Sequence, residues 1–284
     1  MGISAFRSLE CPAIEDLRMR IRLGVVNFLN TRPLVQAFES GGLDHSFDLI
    51  YGVPSRCAER LHSGEADVAL IPSIEIARGP EPYEICPGVS IASLGPVRSV
   101  LLVLKKAPEE IRSLALDPSS RTAIALSRII LQKQYGCVPR VFQSPPEPDR
   151  MLERADAALL IGDSALELDP GAYRVLDLGA AWTELTGLPF VYACWTGRSG
   201  VLKPGEVRKL VEARALGVRQ IPAIAEAFAA SHPFPAAFYA AYLSCNIRYD
   251  LGDAELEGLR RFYGYALELG LIEKMPEVRF YPGC

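Results

Sequence analysis

The chain has 284 residues, 49% of them hydrophobic and 23% charged, with a net charge of −4 and a pI near 5.6. Such a chain can bury a sizeable core without metal or disulfide staples, as two modest domains or one large one. Scattered basic residues at an acidic pI argue against a nucleic-acid partner, and no apolar run reaches the roughly 18 residues of a membrane helix.

Residues 1–20 contain Glu10, Glu15 and Asp16 and lack the apolar stretch of an export signal. They read as an N-terminal extension, with Met19 as an alternative start and the fold beginning at Ile21. A cytoplasmic protein is expected. Seven cysteines, none in a CxxC pair, then read as reduced thiols rather than a zinc or redox motif.

From residue 21 onward, short apolar runs alternate with amphipathic ones. Residues 21–26 are expected to be a strand and 33–40 a helix. A strand at 47–51, a helix at 54–63 and a strand at 66–71 (ADVALI) follow. Two strand candidates come next, 89–94 and 97–104. Lys105 to Pro108 is then read as the crossing into a second lobe. That lobe repeats the theme with a strand at 114–116, a turn at 117–122, a helix at 122–135 and a strand at 139–142. A Pro-rich loop at 144–148, a buried strand at 157–161 (AALLI), a strand at 174–176 and a helix at 178–186 complete it. The strand 189–195 leads back, and helices are expected at 204–217, 220–230, 234–244 and 253–269. Strands alternating with helices of this length imply βαβ units and a largely parallel sheet. The expected organisation is an α/β protein with one lobe of residues 21–105 plus 190–284 and a second of 106–189. A ligand cleft would lie between the lobes, at the loops that follow the strands.

Polar residues gather at those loops. Asn27, Asn30 and Thr31 sit where the first strand meets the first helix, with Thr31 placed to cap that helix and Pro33 in its first turn. Ser120 and Thr122 occupy the matching junction of the second lobe. Hydroxyls and free N–H groups at a helix N-terminus suit a carboxylate or phosphate. Arg98 and Ser99 open an apolar strand, where an Arg can pair bidentately with a carboxylate. Gly162 and Asp163 close the AALLI strand. A glycine allows close backbone approach to a ligand, whereas Asp163 can equally cap the next helix. His45, His62 and His232 are far apart and read as surface residues without metal-ligand spacing. GxGxxG, GxxxxGK[ST], GxSxG and HExxH are all absent. The pattern itself extends to a bilobal α/β protein that binds a small anion in a cleft.

Taken in order, VNFLNTRPL, ADVALIPSIE, SLGPVRSVLL, LDPSSRTAIALSRIIL, ALLIGDSAL and LGAAWTELTGLPFVYACW resemble chorismate dehydratase of the futalosine route to menaquinone. The likeness runs from Ile21 nearly to the C-terminus. It implies a two-lobed fold of the type 2 periplasmic-binding-protein kind, with a ligand cleft between the lobes and C-terminal helices on the first. It implies that chorismate loses water to give 3-[(1-carboxyvinyl)oxy]benzoate. A sister family makes 1,4-dihydroxy-6-naphthoate and typically opens on a Ser-Pro-Cys-Pro-Asn type of motif. Here Val26-Asn27-Phe28-Leu29-Asn30 stands in that place, which favours the dehydratase. Aromatisation of the ring supplies the driving force, so neither a metal nor another cofactor is expected. Under this reading Asn30 is the key catalytic residue, orienting the substrate, and the enolpyruvyl carboxylate of chorismate takes the proton. Arg98 and Ser99 would meet one carboxylate, and Ser120 and Thr122 the other. Asn27, Thr31, Gly162 and Asp163 complete the expected binding set. The partner is a small dianion, not nucleic acid or membrane, and nothing in the sequence specifies an oligomer. A small-carboxylate binding protein and the naphthoate synthase are the alternatives.

Overall fold

A computed structural model describes residues 20–169 and 171–283. The N-terminal extension up to Met19, together with Cys11 and Cys284, lies outside the described residues. In chain order the elements begin with β1 (Ile21–Val26), α1 (Arg32–Glu39), β2 (Phe47–Gly52), α2 (Pro54–Ser63), β3 (Val68–Pro72), α3 (Ser73–Arg78) and β4 (Tyr83–Ser93). They continue with β5 (Val100–Leu104), β6 (Ser113–Leu116), α4 (Arg121–Tyr135), β7 (Arg140–Gln143), α5 (Pro148–Arg154), β8 (Ala157–Ile161), α6 (Gly162–Leu166), β9 (Arg174–Asp177) and α7 (Leu178–Thr186). The chain ends with β10 (Phe190–Arg198), α8 (Pro204–Arg219), α9 (Ile221–Ala229), α10 (Ala236–Ala241), a π-helical turn (Tyr242–Asn246), α11 (Asp253–Glu268) and β11 (Arg279–Phe280).

The strands form two sheets. One has the order β11-β4-β10-β3-β1-β2 and the other β7-β6-β8-β5-β9. Strands β3, β5 and β8 lie inside their sheets, and every residue of each is buried. Helices cover both faces of such strands, so they read as unbroken apolar runs rather than alternating ones. Edge strands β7 and β9 are partly exposed and carry Arg140 and Arg174, as open sheet edges commonly do.

Both sheets are mixed, which corrects the largely parallel expectation. β1 pairs in parallel with β2 and β3, and β6 with β7 and β8. β10 runs antiparallel to β3 and β4, and β5 antiparallel to β8 and β9. The antiparallel members are those next to the points where the chain changes sheet. There the chain arrives from the neighbouring sheet rather than through a local βαβ return. β5 belongs to the second sheet, so that change falls between Ser93 and Val100, ahead of the expected crossing at Lys105.

Local chemistry accounts for the ends of the main helices. In α4, Ser120 Oγ accepts from Ala123 N at 3.3 Å, and Gly136 at φ 66° closes the other end. In α7, Asp177 accepts from the N–H groups of Gly179 and Ala180, and Gly187 at φ 71° terminates the helix. The C-terminal helix α8 packs on α1 so closely that Gly217 touches Pro33. Four described cysteines, Cys57, Cys86, Cys137 and Cys194, are buried free thiols, and Cys245 is an exposed one.

Candidate active site

A cavity of about 50 Å³ lies where the two sheets face each other. Its wall is built from strand-to-helix junctions. Asn30 comes from the 3₁₀ turn after β1, Pro54 from the start of α2, Pro72 from the end of β3, Ser120 from the cap of α4, and Ile161 and Gly162 from the end of β8. Ser99 enters from the crossover before β5. Most other lining groups are apolar, including Val26, Ile91 and Val100. None of the lining residues is a Lys or Arg. A bound anion would therefore be met by the amide, hydroxyls and the N-terminal N–H groups of α4, whose dipole favours negative charge.

The two sides of the cavity are in contact. Asp163 Oδ1 accepts from Leu29 N at 3.0 Å, and Ser119 O accepts from Ser55 N at 2.9 Å. Arg121, at the start of α4, pairs with Glu75 at 2.6 Å and with Glu59 at 2.9 Å. Gly162 has φ 63°, and a Cβ there would stand 2.7 Å from the ring of Phe28, so the ring lies directly on the backbone of α6.

The expected site residues divide into two groups. Asn30, Ser99, Ser120 and Gly162 line the cavity. The other five are outside its lining. Asn27 is exposed beyond the end of β1. Thr31 is fully buried and makes no side-chain cap on α1; its hydroxyl donates to Asn30 Oδ1 at 3.5 Å and so braces the amide from beneath. Thr122 Oγ1 accepts from Ile74 N at 3.1 Å, satisfying a buried N–H of α3 across the sheet boundary. Asp163 is the latch to Leu29. The guanidinium of Arg98 stacks on the Phe238 ring, 4.5 Å from its centroid, and not on the cavity. Arg98 also has φ 63°, a left-handed conformation that is costly for a residue with a side chain. Asp177 sustains it, accepting from Val97 N at 3.0 Å and Arg98 N at 2.7 Å.

Sequence reasoning missed three contributors. Tyr192 on β10 lines the cavity, its hydroxyl 3.0 Å from that of Ser93. Asp177 shapes the crossover. Tyr242 donates to Ser99 Oγ at 2.8 Å. Asp177 carried the one readable signal, since an Asp directly before an apolar helical run is an N-cap pattern. The histidines are half-buried rather than at the surface. His232 sits 2.7 Å from Glu167 and stacks on Phe228, and His62 stacks on Tyr83.

Burial pushes the Asp163 carboxyl up to about 6, the Leu29 N–H acts in the opposite sense, and the neighbouring Glu167 adds to the rise. His232 and Arg32 face it as well and favour its charged form. A carboxyl raised above its ordinary value holds its proton more tightly in the folded, latched state. Its contribution to stability is therefore present at about pH 4 and is lost as pH rises through about 6. Replacing it by a neutral amide removes that slope. Thermal melts of wild type and Asp163→Asn between pH 4 and 7 should show wild type losing on the order of 1–3 kcal/mol relative to the variant. Parallel curves would refute the buried carboxyl.

The sequence matches the model of a family described as Menaquinone biosynthesis over residues 21–268. It is 31% identical to the chorismate dehydratase of Thermus thermophilus across 261 residues, covering 84% of this chain and 93% of that protein. It is 32% identical to the chorismate dehydratase of Campylobacter jejuni across 177 residues, covering 60% of this chain and 64% of the relative. Among solved structures, a protein from Archaeoglobus fulgidus superposes with a TM-score of 0.71 at 18% identity, covering 89% of this chain and 98% of that one. The periplasmic aliphatic sulphonate binding protein of Escherichia coli superposes with a TM-score of 0.63 at 17% identity, covering 92% of each chain. These structures show the fold: a mixed α/β protein with two sheets, of the periplasmic-binding-protein kind.

Proposed function

This chain belongs to the menaquinone biosynthesis family, and from that premise we propose that it is a chorismate dehydratase, a hydro-lyase that converts chorismate to 3-[(1-carboxyvinyl)oxy]benzoate and water. The observation that carries the reading is a mainly apolar cavity between the two sheets with the Asn30 amide in its wall. The relatives supply the identity of the substrate.

In this reading the lobes part to admit the dianion and close on it, excluding water and holding it by hydroxyls and the N-terminus of α4. The proton at ring C3 leaves, the electron pair enters the ring, and the C4–O bond breaks. The departing hydroxide takes up a proton, and the ring becomes aromatic. Hydrogen bonds to the ring carboxylate stabilise the charge that develops as the proton departs. Asn30 positions the substrate at the breaking bonds. A neutral amide is too weak a base for the proton transfer, and the enolpyruvyl carboxylate of the substrate takes that part. Ser99 and Ser120, both next to strand ends of the second sheet, each orient one of the two carboxylates. Closure of the two lobes about the crossovers aligns the leaving hydroxyl.

No helix among the described residues is long and apolar enough to cross a membrane. A cytoplasmic location is part of the same reading, as is independence of metal and other cofactors. The test is incubation of the purified protein with chorismate and no additive, followed by chromatography and mass detection. A product lighter by one water, with the absorbance of a benzoate, is expected. Unchanged chorismate that nevertheless protects the protein in thermal melts would replace the enzyme by a carboxylate-binding protein.

A further inference from the structure

A groove of about 610 Å³ lies beside the cavity, against the same strand-to-helix junctions. Val53 borders it from the first sheet's side, and Ser119, Gln143, Ser144 and Ser164 from the second's. Two residues line both spaces, Phe28 and Ile161. Ile161 is fixed: it ends β8, is 4% exposed and pairs in register with Val100 of β5. Phe28 is not held in that way. It stands between β1 and the turn Leu29–Thr31, outside any strand, and is only partly buried. Its backbone is pinned on both sides, by Asn27 N donating to Gly52 O at 3.1 Å and by Leu29 N donating to Asp163 Oδ1 at 3.0 Å. The side chain is therefore the movable part of the partition. Its far edge rests on Gly162, where a Cβ would stand 2.7–2.8 Å from Cε1, Cζ and Cε2 of the ring. A glycine there leaves the ring its seat.

The volumes make this partition consequential. The 50 Å³ behind the ring has room for about three to five water molecules, at roughly 10–15 Å³ each. A six-membered ring bearing two carboxylates does not fit behind Phe28 as it stands. We propose that Phe28 is the gate of the site and that the outer groove is the substrate's entrance. When the lobes part, the ring leaves Gly162 and turns, and cavity and groove become one chamber. The hydroxyls of Ser144 and Ser164 and the amide of Gln143 are the groove's donors to a carboxylate in transit. Asp117, whose charge would repel it, is 4% exposed and turned into its own loop, accepting from Ser119 N at 2.9 Å and from Ser119 Oγ at 2.6 Å. Once the substrate is seated, the ring folds back over it and limits the size of what can be enclosed. The identity of what passes rests on the dehydratase reading; the gate itself rests on the partition.

Val100 lines the cavity and not the groove. The substitution Val100→Cys puts a thiol behind the ring, in the tryptic peptide Ser99–Lys105, which has no native cysteine. Iodoacetate, itself a small carboxylate, alkylates thiols, and mass spectrometry follows this peptide beside those of exposed Cys245 and buried Cys86. With Phe28 in place, the introduced thiol should label far more slowly than Cys245. Adding Phe28→Ala should raise its rate at least about tenfold, and the milder Phe28→Leu at least about threefold, because access no longer waits for the ring. Cys86 should stay as slow as before. Equal rates with and without the ring, or a rise matched at Cys86 in both variants, would overturn the gate. Saturating chorismate should slow labelling of Val100→Cys. Labelling that is indifferent to chorismate yet raised by loss of the ring would leave the gate standing and remove the dehydratase reading.

Discussion

Asn30→Ala is expected to lower kcat for chorismate by about 10²- to 10³-fold while KM changes only a fewfold, the size seen when one preorganised polar group is withdrawn from a transition state. Asn30 is the first-sheet amide in the cavity wall, and Thr31 braces it from below. No basic side chain lines the cavity to compensate for it. In the proposed reading Ser99 and Ser120 still hold the substrate's carboxylates, so binding should largely survive. Asn30→Asp should behave differently, because a carboxylate beside a dianion repels it and raises KM as well. Steady-state kinetics on the two variants separate these effects. A rise in KM with kcat intact for Asn30→Ala would reduce the residue to ordinary binding.

Gly217→Ala should be the most damaging of the small substitutions. A Cβ at Gly217 would stand 1.9 Å from Pro33 O and 2.6 Å from Pro33 C, both backbone atoms that no rotamer change can move. Helix α8 must retreat from α1. Overpacking of this kind costs about 1–3 kcal/mol or somewhat more, against a gain of up to about 1 kcal/mol in helix propensity. A fall of roughly 4–8 °C in melting temperature is expected at this chain size. Pro33 is three residues beyond Asn30, so displacement of α1 should also lower kcat. Gly264→Ala is the control, since Gly264 lies within α11 with nothing within 4 Å of the added atom. It should leave stability unchanged or slightly raised. Equal melting temperatures for the two variants would contradict the close helix contact.

The contrast between these sites shows which features a sequence can display. Buried strands announce themselves as apolar runs: VALIP, VLLVL and AALLI are each buried along their whole length. Junction residues Asn30, Ser99, Ser120 and Gly162 could be singled out because strand ends in an α/β protein border the cleft. Asn27 belongs to the same junction yet faces outward, and only the turn at Leu29–Thr31 distinguishes it from Asn30. Thr122 and Arg98 were in the right segments, but long-range partners claim them, Ile74 N in one case and the Phe238 ring in the other. Short helices α3, α5 and α6 were not anticipated, because five to seven residues carry too little periodicity. Tyr242 was hidden for a related reason. A π turn interrupts the 3.6-residue pattern, and what the side chain reaches depends on a crossover far away in the chain.

The most direct test is a crystal structure of Asn30→Ala grown with chorismate. The slowed variant should hold intact substrate in the cavity between the sheets, one carboxylate at Ser120 and the start of α4, and the C4 hydroxyl facing the space that Asn30 vacates. Chorismate bound elsewhere, or an empty cavity at concentrations that saturate turnover by wild type, would contradict the account.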